Sequence, residues 1–521
     1  MPRSNGTATA QQTTTAQQLG SIIKSARDIM RKDKGLNGDL DRLPMLTWVL
    51  FLKFLDDLEQ QREDEALLAG KLHFPAIELP YRWRDWAVDE DGITGEDLLK
   101  FINNDEHVFS DGRKRPGLFA YLRGLTSATA MAGDRRDVVA TVFRGVTNRM
   151  LNGYLLRDVI NKVNGIHFTR RDEIHTLGHL YETMLREMRD AAGDAGEFYT
   201  PRSVVRFMVA AVDPQLGEMV LDPACGTGGF LAEAFLHLEH QCETTQDTRT
   251  LQERSIVGGE AKPLPYLLAQ MNLVLHGLEA PQIDAGNSLR HRLGEIGDGQ
   301  RVDVILTNPP FGGEEERGIE DNFPADKRTS ETALLFLQYI MRKLRRPVGG
   351  YKPGRAGVVV PNGTLFGDGV AARIKEELLR EFNLHTIVRL PNGVFAPYTS
   401  ISTNLLFFDR SGPTREVWYY EQHLPDGRKG YTKTNPLRFE EFADCLAWWG
   451  NRDENERAWR VPAQVIFDNG CNLDIKNPNG VQDIEHLPPE ELVMNILEKE
   501  RRIAEVVADI QRVLAEGVRH G

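Results

Sequence analysis

Cysteine is scarce in this 521-residue chain, and the little there is does not pair by spacing. Cys225, Cys242, Cys445 and Cys471 are scattered, with no Cys-x-x-Cys among them. That argues against a zinc site and against a disulfide framework, and leaves reduced structural thiols. Long apolar runs are missing too. The most tempting, Leu46 to Leu55, is broken by Lys53 and followed by Asp56 and Asp57, so no membrane-spanning segment is expected. The beginning, with Arg3, Ser4 and then Thr/Gln repeats, carries no apolar signal core, and the expected location is the cytoplasm. Positive charge is also in short supply: 63 Lys and Arg against 76 Asp and Glu give a net charge of −13. A protein that grips phosphates by itself usually shows a basic face. A nucleic-acid substrate would therefore require local clustering of basic residues, or a partner that supplies the grip.

Composition otherwise suits a globular protein, with 41% hydrophobic and 8% aromatic residues, and the length suggests roughly three domains. Residues 1–18 are rich in Thr, Gln and Ala and are expected to form a disordered tail. Residues 19–164 read as a helical domain: Ile22, Ile23, Ala26, Ile29 and Met30 recur at helical spacing, and Leu46 to Leu58 behaves likewise. This domain has no catalytic signature and reads as a structural or partner-binding module.

Residues 165–471 alternate short apolar runs with helical patterns. Met219–Leu221, Ser255–Val257, Val302–Leu306, Gly357–Val360, Thr386–Val388 and Asn404–Phe408 read as buried strands. Pro201–Val212, Leu264–Leu275 and Thr332–Leu344 read as helices beside them. The alternation predicts an α/β doubly wound sheet. In the remaining segment, 472–521, a helix is expected over Leu487–Gly517, opened by Pro488 and Pro489 and ended by Gly517. Leu492, Ile496, Ile503, Val506, Ile510 and Val513 form a heptad seam, with Lys499 as a polar break. Such a seam packs either on its own domain or on a partner helix.

Val220-Leu-Asp-Pro-Ala-Cys-Gly-Thr-Gly-Gly-Phe230 is a strand, a glycine-rich turn and the start of a helix. Gly226, Gly228 and Gly229 let the backbone turn tightly and approach a ligand, and ligands of open α/β sheets bind beyond the carboxyl ends of strands. The G-x-G-x-x-G spacing of dinucleotide sites is absent, as is the Lys-Ser/Thr of a P-loop. A turn of this kind alone is weak, so its companions matter. Asp222, Pro223, Ala224, Thr227 and Phe230 complete the turn. Glu260, at the end of the next strand, suits ribose hydroxyls. Asn287 and Ser288 can border an adenine ring, with the Asn287 amide oxygen accepting from the ring amine. Upstream, Gly196-Glu-Phe-Tyr-Thr-Pro-Arg202 places Thr200 and Pro201 at the opening of a helix, whose N-terminus suits a carboxylate. Glu197, Phe198, Tyr199, Thr200 and Pro201 are assigned to the carboxylate-bearing end of the ligand.

Asn308-Pro-Pro-Phe311 follows another strand. An exocyclic amine on a conjugated ring is a poor nucleophile because its lone pair is delocalised. Acceptors for its two protons push the nitrogen toward a tetrahedral, nucleophilic form. Asn308 offers its amide oxygen and Pro309 its backbone carbonyl. Pro309 and Pro310 stiffen the turn, so the acceptors are placed in advance. Phe311 can stack on the base, and Phe395 is a candidate for the second wall, with plain core packing as the competing reading. The target must leave the duplex to reach such a pocket. The turn holds no cysteine, which argues against thiolate-dependent cytosine-C5 chemistry.

Together, Gly196–Arg202, Asp222–Phe230, Glu260, Asn287 and Asn308–Phe311 resemble the amino-methyltransferases of DNA, in motif order, over residues 165–410 or so. Gly354–Gly363, Leu390–Thr399 and the helical N-terminal domain look like those of the modification subunits of type I restriction–modification systems. The resemblance implies a Rossmann-like class I fold and S-adenosylmethionine as cofactor. It implies methylation of adenine N6 in double-stranded DNA. The implied partners are a specificity subunit that reads the sequence and binds two copies of the modification subunit, and an ATP-driven restriction subunit. It favours a partner helix, on the specificity subunit, for Leu492–Leu514. Asn287 departs from the Asp that many amino-methyltransferases carry there. Other expectations stay open: methylation of cytosine N4, RNA or protein, or a non-catalytic assembly subunit that retains the fold.

Overall fold

A computed structural model describes residues 16–70, 72–125, 135–166, 200–311, 315, 317–366, 368–396, 401–425, 427–432 and 434–479. Contacts group residues up to Asn477 into one compact unit and separate Pro478–Gly521 from it. The expected helix Leu487–Gly517 lies outside the described residues, as does most of the tail expected over 1–18. The first described helix starts at Ala16, inside that stretch.

The N-terminal layer contains α1 (Ala16–Met30), α2 (Asp39–Leu68), α3 (Trp83–Trp86), α4 (Gly95–Asn103), α5 (Leu118–Arg123), α6 (Arg135–Arg144) and α7 (Gly153–Asn164). Asn152 caps α7, its side chain accepting from the backbone N–H of Tyr154 and Leu155. The run that looked membrane-like falls in α2, where Trp48, Val49, Leu50, Phe51, Leu52 and Phe54 are all buried. Lys53 is buried with them and pairs with Asp57 at 2.5 Å, one helical turn on. A small hairpin, β1 (Glu106–Val108) with β2 (Lys114–Pro116), interrupts the helices. Its turn needs Gly112, at φ 77°, a conformation that side chains resist.

The second layer is a nine-stranded sheet: β3 (Val220–Asp222), β4 (Ile256–Gly259), β5 (Gln282–Asp284), β6 (Val304–Thr307), β7 (Arg355–Pro361), β8 (Asn383–Arg389), β9 (Thr403–Asp409), β10 (Glu416–Glu421) and β11 (Ala458–Pro462). Their spatial order is β11-β10-β8-β9-β7-β6-β3-β4-β5. From β7 to β5 all neighbours are parallel; β9 runs antiparallel between β7 and β8, and β11 is antiparallel to β10. Each expected strand falls on an observed one, and the doubly wound α/β sheet is present. The helices are α8 (Arg202–Val212), α9 (Gly229–Glu239), α10 (Thr245–Arg254), α11 (Pro263–Leu275), α12 (Arg317–Glu320), α13 (Thr332–Lys343), α14 (Val370–Glu381), α15 (Ala443–Gly450) and α16 (Ala463–Asp468).

Both faces of the sheet are covered, which is why its central strands read as continuous apolar runs. Val304, Leu306 and Val359 face α8, α9 and α11, while Ile305, Val358 and Val360 face α13 and α14. Helix α11 joins the two layers. Ala269 and Leu273 belong to the sheet core, and Leu267, Leu268, Met271, Val274 and Leu275 to the core of the helical layer. A helix apolar all round is a buried one. Among the described residues no helix is long and apolar enough to cross a membrane.

Arg355, at the start of β7, ties α8 to the sheet. Its guanidinium donates to the carbonyls of Val212 (2.8 Å) and Asp213 (2.7 Å) and to both carboxylate oxygens of Glu218 (2.8 Å each). Arg355→Ala is expected to remove about 2–3 kcal/mol, since it strands a half-buried carboxylate and two helix-end carbonyls. Lysine, which cannot fork, should restore only part. Urea denaturation of the purified subunit measures both; an unchanged midpoint for the alanine variant would refute this role.

Candidate active site

The carboxyl ends of β6, β3 and β4 lie side by side, and each carries one of the motifs found in the sequence. Asp222 ends β3 and is buried; its Oδ1 accepts from Thr307 Oγ1 at 2.6 Å and from the backbone N–H of Ala224 at 3.1 Å. Burial pushes its carboxyl up to about 7, against the pull of those two bonds and with a further push from the Glu260 charge. The turn beyond it passes through Gly226 (φ 54°) and Gly228 (φ 79°), both left-handed, and α9 begins at Gly229. Gly228 lies against α11, where a Cβ would come within 3.3 Å of Ala269.

Glu260 follows β4 and is buried. One carboxylate oxygen accepts from the N–H of Gly226 at 2.9 Å and the other from the N–H of Lys262 at 2.8 Å. The carboxylate thus clamps the glycine-rich turn and keeps lone pairs for a ligand. Burial raises its pKa, and the two backbone bonds oppose the rise. A Cβ at Gly259 would lie 2.4 Å from Ser288 Oγ, so a larger residue here would displace that hydroxyl. That hydroxyl donates to the carbonyl of Pro223 at 2.7 Å, tying the segment after β5 to the turn after β3.

Asn308 follows β6. Its Nδ2 donates to Thr200 Oγ1 at 3.0 Å, just ahead of α8. Its Oδ1 is buried and has no hydrogen-bond partner among the described residues. Pro309 is buried and Pro310 partly so. Phe311 is half-buried, and Phe395 meets it edge to face, with centroids 5.8 Å apart and 64° between planes. At 4% exposure, Phe395 buttresses Phe311 in this conformation and is not among the residues lining the cavity.

These segments surround one cavity of ≈280 Å³. Thr200, Asp222–Thr227, Gly229, Phe230, Glu260, Asn287, Ser288, Asn308 and Pro310 line it. Pro201 caps α8 beside it. Glu197, Phe198 and Tyr199 lie outside the described residues. Asn287 is placed as expected, but its amide oxygen accepts from the N–H of Leu289 at 2.9 Å, and its Nδ2 donates to Glu315 at 3.0 Å.

Sequence reasoning gave no ligand role to several further lining residues, among them Arg202, Lys262, Asn272, Glu315 and Phe336. Asn272 had a readable signal, as one of two buried polar residues, with Gln270, in the mainly apolar α11. Its Nδ2 donates to the Thr227 carbonyl at 2.9 Å, and its Oδ1, like that of Asn308, is buried without a partner among the described residues. A buried polar atom left unpaired is costly, and two on one cavity ask for a donor-bearing ligand. With the Asp222 and Glu260 carboxylates beside them, the cavity suits a hydroxylated, cationic molecule.

A parallel-centred sheet with a glycine-rich turn after β3, an acid after β4 and Asn-Pro-Pro-Phe after β6 defines a class I methyltransferase of the amino-methylating type. Comparison with known proteins agrees. Residues 172–487 match the N-6 DNA methylase family, and residues 19–163 match the HsdM N-terminal domain. The type I restriction enzyme EcoEI methylase subunit of Escherichia coli is 49% identical over 505 residues, 95% of this chain and 97% of that one. The EcoKI methylase subunit of E. coli K12 is 32% identical over 65% of this chain and 67% of its own length. Among solved structures, a modification subunit attributed to a type I restriction enzyme of Vibrio vulnificus YJ016 superposes with a TM-score of 0.86 at 68% identity, covering 91% and 99% of the two chains. A chain from a type I R-M system superposes at 0.74 with 41% identity, covering 96% and 99%. The chain belongs to the N-6 DNA methylase family, as a methylase subunit of the type I restriction–modification kind.

Asp222 gives a pH prediction. The folded chain holds a proton up to about pH 7 that an unfolded Asp releases near pH 4. The stability this confers is complete below pH 4 or so and is lost as pH rises through about 7. Asp222→Asn has no such loss. Between pH 5 and 7 the wild type should weaken relative to the variant by up to about 1.4 kcal/mol per pH unit. Urea denaturation of both proteins across pH 5–8 measures this, and parallel pH profiles would contradict it.

Proposed function

We propose that this chain transfers the methyl group of S-adenosylmethionine to N6 of an adenine flipped out of double-stranded DNA. The observation that carries the proposal is the Oδ1 of Asn308, buried and without a partner among the described residues while its amide nitrogen donates to Thr200. An amide oxygen so placed accepts one proton of the target amine, and the Pro309 carbonyl accepts the other. Loss of amine conjugation leaves a nucleophilic nitrogen, whose proton departs after transfer, so no strong base is needed. Phe311 stacks on the extruded base with Phe395 bracing it, offsetting part of the few kcal/mol that flipping costs.

S-adenosylmethionine supplies an electrophilic methyl carbon on a sulfonium. On this reading Glu260 takes the ribose hydroxyls, Asp222 and the turn through Gly229 lie under the sulfonium, and the N-terminal end of α8 at Thr200 and Pro201 receives the methionine carboxylate. Sequence reading is delegated to a specificity subunit that holds two copies of this chain, with an ATP-driven restriction subunit joining for cleavage. The net charge of −13 supports delegation, since this chain has no surplus positive charge to offer DNA.

Asn308→Ala should lower methyl transfer by ~10²-fold or more while sparing cofactor binding. Glu260→Ala should raise the cofactor Kd by ~10- to 100-fold through lost charged hydrogen bonds. Tritiated methyl transfer by the assembled complex and calorimetric titration separate the two effects. Near wild-type transfer by Asn308→Ala would refute the acceptor role, and N4-methylcytosine in place of N6-methyladenine would refute the substrate. For the C-terminal seam, Ile503→Asp with Ile510→Asp should abolish co-purification with the specificity subunit. An intact complex would show that this helix does not dock there.

A further inference from the structure

The acceptor expected for the purine amine of the methyl donor was the Asn287 amide oxygen, and the structure commits that oxygen elsewhere. The amide orientation is chemically determined. The backbone N–H of Leu289 can only donate, so the atom facing it at 2.9 Å is oxygen. The Glu315 carboxylate can only accept when ionised, so the atom facing it at 3.0 Å is nitrogen. Asn287 therefore turns a donor, not its free acceptor, toward the cavity, and that donor holds Glu315.

We propose that Glu315 is the specificity-determining residue for the cofactor: its carboxylate, positioned by Asn287, accepts the exocyclic amine of the donor's adenine ring. This rests on the reading of the cavity as the S-adenosylmethionine site. Glu315 lines that cavity. Its backbone N–H donates to the Ser330 carbonyl at 3.2 Å, which fixes the chain just ahead of α13. Among the described residues Asn287 is the one side chain bonded to its carboxylate, and a carboxylate bonded once keeps acceptor capacity. An apolar wall for a flat ring is present at the same end. Phe336, on α13, lines the cavity and packs with Leu289, beside Ala224.

The order of the strand ends supports the assignment. Across β6, β3, β4 and β5 the cavity presents Asn308, then the turn after Asp222, then Glu260, then Asn287 with Glu315. A nucleoside lying along this row with its ribose at Glu260 and its reactive end toward Asn308 brings its base to Asn287 and Glu315. Recognition by an ionised acceptor is steep. An amine bonded to a carboxylate is favoured, and a ligand without the amine leaves that carboxylate facing a C–H edge. The residue that reads the donor thus arrives from the connection following Asn308–Phe311, the same connection that carries the target-base acceptors.

Calorimetric titration of the full-length chain with S-adenosylhomocysteine and with its 6-deamino purine analogue tests this. The wild type should prefer the amine-bearing ligand by roughly ten- to a hundredfold. Glu315→Ala should bring that preference close to one while leaving the Kd of the deamino analogue unchanged, which also reports an intact fold. Glu315→Gln, which keeps an acceptor oxygen, should retain part of the preference, and Asn287→Ala should reduce it. An undiminished preference in Glu315→Ala, or equal losses for both ligands, would overturn the assignment. If neither ligand binds the wild type, the cavity reading itself fails and this inference falls with it.

Discussion

The hydrogen bond from the Asn308 amide nitrogen to Thr200 occupies the donor end of that amide and leaves its acceptor end to the cavity. A buried oxygen is left unpaired, at a cost of order 1–3 kcal/mol to the free protein. That cost is recovered when a donor arrives, so the folded state favours a ligand amine at this position. Asn272 repeats the arrangement on the other side of the cavity, with its nitrogen on Thr227 and its oxygen unpaired. Reacting groups held in place before binding need no reorganisation at the moment of reaction.

Such polarity is sustained by the packing beneath it. Four adjacent parallel strands end beside the cavity, and their ends are bonded one to the next: Thr307 to Asp222, the N–H of Cys225 to the Gly259 carbonyl, and the N–H of Glu260 to the Asp284 carbonyl. Helix α11 lies under the glycine-rich turn and is packed on its other side by the N-terminal helical layer. Among the described residues that layer contributes none to the lining of the cavity. Its role at the site is to bury α11, and through α11 to support the floor on which Gly228 and Thr227 rest.

Much of this was legible in the sequence because it is local. The Asp222–Phe230 turn, Glu260 and Asn308–Phe311 each sit at a strand end, and their chemistry is contained in contiguous residues. The strands carrying them are apolar on both faces and stand out. What was not legible depends on distant pieces meeting. Strand β5 holds one apolar residue between two polar ones, β9 enters between β7 and β8 against the parallel run, and the β1–β2 hairpin rests on a single left-handed glycine. Glu315 and Phe336 look like an ordinary surface acid and an ordinary core aromatic until the fold brings them beside Asn287. Asn287 lines the cavity, but its bonding partners could not be read from its own segment.

On the proposed reading, an acidic subunit has its target base delivered by a partner, and the Asn308 amide oxygen receives the amine of that base. The most direct measurement is a structure of the complex with specificity subunit, target duplex and a non-reactive methyl-donor analogue. The expected result is an extruded adenine with N6 at hydrogen-bonding distance, about 3 Å, from both Asn308 Oδ1 and the Pro309 carbonyl, and Phe311 against its ring. An adenine amine bonded elsewhere, with Asn308 Oδ1 paired to protein or water, would contradict it.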